Sequence, residues 1–237
     1  MTWSVVAVDP HTREVGVGAA SCAIGVELIR GIVPGKGVVA AQAWGNLYAR
    51  DQAVKAITRG ATADEVLAAA EAHSGRNGQS AWKDQQFGVA VLEPEPRAIA
   101  HTGDATLAWA GSRATSAVSV QGNILRGREV VDVAMAAFQS DEGTPDLAER
   151  IMRALEAGNE AGGDNRCPFE CPALAAFIAV AGPDESPHDD PSLYLAAPKF
   201  FGIEGVVRHA TQGYARDPAD PPPVAALRAQ FDVVRSD

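Results

Sequence analysis

The chain has 237 residues, 46% hydrophobic and 21% charged, an ordinary globular balance with enough apolar material for a sizeable core. Its net charge is −10 and its 20 basic residues form no run, which argues against nucleic acid or an anionic membrane surface as a partner. No apolar stretch approaches the ~20 residues of a membrane span, and the N-terminus lacks the basic-then-apolar pattern of a signal peptide, so the chain reads as cytoplasmic.

Residues 2–8 and 14–20 are β-prone runs separated by Asp9-Pro10-His11-Thr12-Arg13, a Pro-bearing turn of the kind that joins hairpin strands. A short helical segment after Ser21-Cys22 leads to the turn Pro34-Gly35-Lys36-Gly37, then to the apolar run Val38–Ala43, a third strand in which Gln42 is the polar exception. Residues 50–59 and 62–73 are helical by pattern and form a helical hairpin, the second opening on a capping-box-like Thr62-Ala63-Asp64-Glu65. From Gln86 a β pattern resumes through Leu92, and Glu93-Pro94-Glu95-Pro96 connects it to a strand ending at His101. A further strand over 115–121 precedes helices at 128–139 and 145–158, the second ended by Gly158 or by Gly162-Gly163. Ala173–Ala181 reads as a buried strand, residues 182–237 as a loop-rich wrap with a closing helix at 222–235. Strands, helix pair, strands, helix pair, strands is the order of an α+β fold with sheets between helical layers, a four-layer αββα sandwich. No internal repeat or second domain is visible, so one domain over 1–237 is expected.

Polar residues crowd the strand ends, where a rigid scaffold can hold functional loops. Thr2 directly follows the initiator Met and enters the first strand. If Met1 is removed, its hydroxyl gains a free α-amine, of pKa ~8, as a neighbouring general base. Gln121-Gly122-Asn123 combines a glycine that lets a ligand approach the backbone with amides able to donate to an oxyanion. Gly162-Gly163-Asp164-Asn165-Arg166 sets a carboxylate beside a guanidinium, either to meet a substrate or to form a local ion pair at a helix end. His101 has three open roles: base, ligand or a strand-end residue satisfied locally. His188-Asp189-Asp190 has ligand-type side chains but no spaced partner cluster, so no metal and no cofactor are expected. Gly16-Val17-Gly18 lies within a strand and lacks the third glycine of a dinucleotide fingerprint.

The three cysteines are too few for a disulfide scaffold. A disulfide joining Cys167 to Cys22 or to Cys171 stays open, although cytoplasmic thiols are mostly reduced.

In combination and in order, five blocks resemble the DUF1028 family: Thr2–Pro10, Gly37–Ala43, His101-Thr102-Gly103, Val120–Leu125 and Ala161–Arg166. The resemblance covers about residues 2–181. That family is similar in fold to the N-terminal nucleophile hydrolases, so the resemblance implies an amide-bond hydrolase with Thr2 as nucleophile and amides near Asn123 supporting the oxyanion. Some relatives carry a C-terminal peptidoglycan-binding module, a hint of cell-wall peptides as substrates. The sequence shows no such module, and Cys167–Pro172 departs from the family pattern after the Arg, which puts transfer of residues beyond Arg166 in doubt.

The resulting expectation is a hydrolase of small amides or short peptides, with Thr2, Asn123 and Asp164 catalytic and Ser21, Gln42, His101, Gln121 and Arg166 binding substrate. Two other classes stand beside it: a non-catalytic binding protein on the same fold, and a thiol redox protein using Cys22, Cys167 and Cys171. Ala196–Phe201 marks a candidate homodimer interface.

Overall fold

The computed structural model describes residues 2–76, 79–141, 143, 145–198 and 219–236. Ten strands form two antiparallel sheets among the described residues. The first sheet holds β1 (Thr2–Val8), β2 (Val15–Ser21), β7 (Gly111–Ala114), β8 (Val118–Gly122), β9 (Ala175–Ala181) and β10 (Leu193–Ala197), in the order β10-β9-β2-β1-β8-β7. The second holds β3 (Arg30–Val33), β4 (Gly37–Ala43), β5 (Gln85–Val91) and β6 (Arg97–Thr102), in the order β3-β4-β5-β6. The helices are α1 (Leu47–Thr58), α2 (Ala63–Glu71), α3 (Glu129–Gln139), α4 (Leu147–Glu160) and α5 (Pro223–Ser236).

Successive side chains of a strand point to opposite faces, and this period of two sorts the apolar residues into three cores. In β1, Trp3, Val5 and Ala7 pack on the α3, α4 and α5 side, whereas Val6 and Val8 join Val15, Val17, Val38, Ala40 and Ala90 between the sheets. In β4 and β5, Val39, Ala41, Phe87 and Val89 face α1 and α2. The layers therefore run helices, sheet, sheet, helices, an α+β architecture with two antiparallel sheets. Central strands are buried on both faces, which explains why they read as unbroken apolar runs rather than alternating ones.

Local signals place the helices. Asn46 accepts a hydrogen bond from Ala49 N–H at the start of α1, Thr62 and Glu65 exchange both bonds of a capping box on α2, and Asp146 accepts from Glu149 N–H on α4. Helix α4 buries Leu147, Ala148, Ile151, Met152, Ala154, Leu155 and Gly158, a stripe at helical spacing that lies on β1, β2 and β9. Gly18 makes that approach possible, since a Cβ there would stand 2.6 Å from Ile151 Cγ2. The Gly16-Val17-Gly18 pattern thus serves helix-on-sheet packing.

Three strands depart from the sequence reading, and all three are sheet edges: β3, β7 and β10. Edge strands are short, pair on one side and tolerate polar residues, so Arg30-Gly31-Ile32-Val33 and Gly111-Ser112-Arg113-Ala114 carry no strong strand pattern. Strand β10 replaces part of the expected C-terminal wrap, and α5 closes the chain where a helix was expected. Ala196 and Ala197 of the expected interface segment are buried in β10, while Lys199, Phe200 and Phe201 lie outside the described residues.

Helix α5 is fastened to α4 through Arg228, which donates from Nε and Nη2 to Glu156 (2.8 and 2.6 Å) and from Nη1 and Nη2 to Glu149 (2.8 and 3.2 Å). Partial burial pushes the Glu149 carboxyl up, but hydrogen bonds and charge from Arg228 and Arg153 outweigh it, and its pKa lies below the ordinary carboxylate value. A carboxylate with a lowered folded-state pKa stabilises above its unfolded pKa of about 4.3, and the contribution is lost as pH falls through the folded value. Arg228→Met is expected to cost about 1–2 kcal/mol in urea unfolding at pH 7. The deficit should shrink as pH drops below about 4; an equal deficit at pH 7 and pH 3 would contradict the ion-pair origin.

Candidate functional site

At one end of the sandwich the layer between the sheets changes from apolar to polar. Ser4, Ser119 and Gln121 of the first sheet, Gln42 and Gln86 of the second, and Asn123 just past β8 are all buried there. Ser119 Oγ donates to Gln121 Oε1 (2.8 Å), Gln121 Nε2 to Ser4 Oγ (2.7 Å), Ser4 Oγ to Gln42 Oε1 (2.7 Å), and Gln42 Nε2 to Gln86 Oε1 (2.7 Å). Asn123 Nδ2 also donates to Gln86 Oε1, at 2.9 Å. The backbone opens space for this relay at Gly88, where a Cβ would stand 2.4 Å from the Gln121 amide.

The relay has a direction. Gln86 Nε2 lies 2.9 Å from Gly122 O and 3.3 Å from Gly111 O, and carbonyl oxygens only accept, so this end of Gln86 is its nitrogen. Its Oε1 must then face Gln42 and Asn123, both of which have to donate. Gln42 Nε2 meets the same requirement a second time at Thr2 O, 3.2 Å away. Asn123 is left with Nδ2 on Gln86, and its Oδ1 is buried with no hydrogen-bond partner among the described residues.

Thr2 sits beside this network. Its carbonyl accepts from Asn123 N–H at 3.1 Å as well as from Gln42, which pins the first residue of β1 to both sheets. By strand parity its side chain points between the sheets with Ser4 and Val6. It opens into a cleft of about 150 Å³ that is also lined by Ser21, Gln42, Ala43, Gly45 and Leu47. No ionisable side chain lines this cleft among the described residues. Ala43 (φ 68°), which lines the cleft, and Ile124 (φ 48°), which follows Asn123, hold left-handed backbone, a conformation that costs about 1–2 kcal/mol each. Such strain clusters where the chain must turn to shape a site. After Ala43 the chain turns outward and leaves Trp44 exposed.

Thr2, Ser21, Gln42, Gln121 and Asn123 are thus brought together. Asp164 and Arg166 lie next to them in a closed arrangement. The buried Asp164 carboxylate accepts from Cys22 N–H (2.9 Å), Arg166 N–H (3.0 Å), Arg166 Nε (3.0 Å) and Arg166 Nη2 (2.6 Å). It clamps the end of β2, directly after Ser21, to the loop beyond α4. A disulfide between Cys22 and Cys167 fastens the same two segments, which settles the partner of Cys167. Cys171 is a free, half-buried thiol whose Sγ faces Ala173 O.

His101 is elsewhere. It projects from the helix-facing side of β6, stacked on Trp82 with ring centroids 3.8 Å apart and Nε2 3.0 Å from Trp82 O. His188, Asp189 and Asp190 lie in the exposed turn between β9 and β10. Among the described residues no group of three or more His, Cys, Asp or Glu is placed to hold a metal ion, and no helix is long and apolar enough to cross a membrane.

Sequence reasoning missed Ser4, Ser119 and Gln86. The signal for Gln86 was present, because it repeats the anomaly of Gln42, an amide in an otherwise apolar strand, and the two are register partners across β4 and β5. Asp164→Ala should lower stability by about 3 kcal/mol in chemical denaturation, because it strands Cys22 N–H and Arg166 without their acceptor. A loss below about 0.5 kcal/mol, the level of an ordinary surface substitution, would show that the clamp is dispensable.

The fold has a solved counterpart: the crystal structure of protein SPO2555 from Silicibacter pomeroyi, of family-model DUF1028, superposes with a TM-score of 0.72 at 20% identity, covering 98% of this chain and 88% of that one. No curated protein matches the chain. The family model DUF1028, described as a family of unknown function, matches residues 2–196. With five-sixths of its length matched in this way, the chain belongs to the DUF1028 family.

Proposed function

We propose that the protein hydrolyses the amide bond of small amides or short peptides, with Thr2 as an N-terminal nucleophile after removal of Met1, on an architecture of the N-terminal nucleophile hydrolase type. One observation carries the reading: Thr2 lines a cleft that holds no ionisable side chain among the described residues. A hydroxyl is a weak nucleophile at neutral pH and needs an adjacent base. His101 is on the far side of its sheet, and Asp164 is committed to Arg166 and Cys22 N–H. The α-amine of a processed Thr2 is the base that remains.

In this mechanism Thr2 Oγ1 attacks the substrate carbonyl carbon while its proton passes to the α-amine. The ammonium then protonates the leaving nitrogen as the C–N bond breaks, leaving an ester on Thr2. A water molecule, deprotonated by the same amine, attacks the ester; the acid departs and the Thr2 hydroxyl is restored. Asn123 Nδ2 commits one hydrogen to Gln86 and has a second for the oxyanion, a contribution worth about 10²–10³ in turnover where a single donor is removed. Gln42 and Asn123 hold Thr2 by its carbonyl, so the nucleophile is oriented before substrate arrives.

Intact mass of the untagged protein should show loss of one methionine. On a panel of amides and short peptides, Thr2→Ala should abolish turnover with the fold intact, Thr2→Ser should retain activity, and an N-terminal extension should silence the enzyme. Activity should rise with pH through about 7–8 as the α-amine loses its proton. Full turnover in Thr2→Ala overturns the mechanism; a retained Met1 favours a binding protein built on the same cleft.

A further inference from the structure

The short helical turn Val26–Ile29 borders two cavities. Val26, Leu28 and Ile29 line the Thr2 cleft, whereas Glu27 and Leu28 line a larger recess of about 320 Å³, the size at which small-molecule sites begin. Strand β3, Arg50 of α1 and the loop between β9 and β10 supply the rest of its wall. The lining is unbalanced in charge: four carboxylates, Glu27, Glu185, Asp189 and Asp190, against two guanidinium groups, Arg30 and Arg50, a formal net of −2.

Both guanidinium groups are already committed. Arg30 donates to Glu27 O (3.2 Å) and to Asp190 (3.4 Å) and lies over the Tyr194 ring, and Arg50 donates to Leu28 O and to Asp51. Glu185 is spent likewise, on Gly182 N–H (2.6 Å) and Ser192 N–H (2.8 Å). Glu27 is different. It is 6% exposed, no other described residue donates a hydrogen bond to its carboxyl, and no described cation stands within ion-pair distance of it. Burial pushes that carboxyl above the ordinary carboxylate pKa, against the pull of its own backbone N–H and of the more distant Arg30 charge. The group is nonetheless within reach of a ligand: among the described residues, the unpartnered side-chain atoms closed to solvent belong to Trp3, Asn46, Asn123 and Asp132, not to Glu27.

We infer that this recess binds a small organic cation with a primary ammonium head and a short aliphatic chain, the ammonium donating to the Glu27 carboxylate. A carboxylate taken out of water without a counter-charge is costly to keep ionised, and a cation that also donates hydrogen bonds recovers part of that cost. The narrow opening at Glu27 suits a compact ammonium, with its three donors on one atom, better than the broad fork of a guanidinium. Leu28, Ile32, Pro34, Pro187 and Pro191 give the hydrocarbon chain an apolar wall. A hard metal ion wants six or more oxygen ligands, and among the described residues no group of three or more His, Cys, Asp or Glu is placed to supply them. The site is separate from the Thr2 cleft and stands without the hydrolase reading.

The test is calorimetric titration at pH 8, about two units below the pKa of an alkylammonium. The probes are n-pentylamine, 1-pentanol with the chain and a neutral donor, tetramethylammonium with the charge and no donor, and calcium chloride. n-Pentylamine should bind, with 1-pentanol and tetramethylammonium each weaker by about tenfold or more, and calcium should not displace it. Glu27→Gln, which keeps the shape and removes the charge, should weaken n-pentylamine by about tenfold or more. Asp189→Asn, at an exposed position, should change it by less than about threefold. Equal binding of 1-pentanol or tetramethylammonium, displacement by calcium, unchanged affinity in a folded Glu27→Gln protein, or no binding of n-pentylamine at millimolar concentration overturns the site. If Glu27→Gln does not fold, the four probes on the unsubstituted protein decide. Thr2→Ala should bind n-pentylamine as the unsubstituted protein does; a tenfold loss there would put the cation in the cleft and overturn its assignment to the recess. Amide turnover enters none of these readings, so the cation site and the hydrolase reading fail separately.

Discussion

The structure of the functional end depends on one chain of uncharged hydrogen bonds, running from Ser119 through Gln121, Ser4, Gln42 and Gln86 to Asn123 between two apolar sheets. Each bond contributes only about 1 kcal/mol net, but each member left unpaired would cost more, so the whole chain is all-or-none in character. Backbone carbonyls at Gly111 and Gly122 set its polarity, and every amide downstream inherits it. The relay also joins the sheets across a layer otherwise held by non-directional apolar contacts, which define distance but not register. Thr2, held through its carbonyl by Gln42 and Asn123, has its position set by that relay.

Among the described residues no ionisable side chain lines this cleft, and that has chemical consequences. With amides and hydroxyls instead of ion pairs, the layer avoids the desolvation cost that buried carboxylates or ammonium groups would incur. It also keeps the local dielectric low, so a charge brought there would be felt strongly by the few dipoles present. Asp164 pairs with Arg166 and accepts from Cys22 N–H, and so acts as a clamp at the end of β2 together with the Cys22–Cys167 disulfide. Charge therefore serves attachment around the site and neutral dipoles serve the site itself.

Local patterning made much of the fold legible. The Asp9–Arg13 turn, the capping box at Thr62 and Glu65, and the apolar stripe of α4 each act within a few residues, where sequence is a direct record of the physics. The edges β3, β7 and β10 were not legible, because a strand paired on one side needs no apolar pattern of its own and takes its conformation from the neighbour. At the site, Thr2, Gln42 and Asn123 stood out as polar residues at strand ends or within apolar strands. His101 stood out for the same reason and lies on the other face, since its position in β6 directs it to Trp82. A residue at a strand end has two faces to choose from, and only the partner strand decides which one is the cleft.

By itself the sequence determined the fold class, the family, the order of the layers and the position of a hydroxyl residue at the entry to the first strand. The fold class and the layers follow from hydrophobic periodicity and turn chemistry, and the family from the resemblance of five short blocks, all of which lie in short stretches of chain. Tertiary structure alone decided that Ser4, Gln42, Gln86, Gln121 and Asn123 are one directed relay and that Asp164 is a clamp. The reason is geometric: a hydrogen bond requires its partners within about 3 Å and has a donor and an acceptor end. Residues as far apart in sequence as Ser4 and Gln42 acquire both distance and direction only when the sheets are stacked.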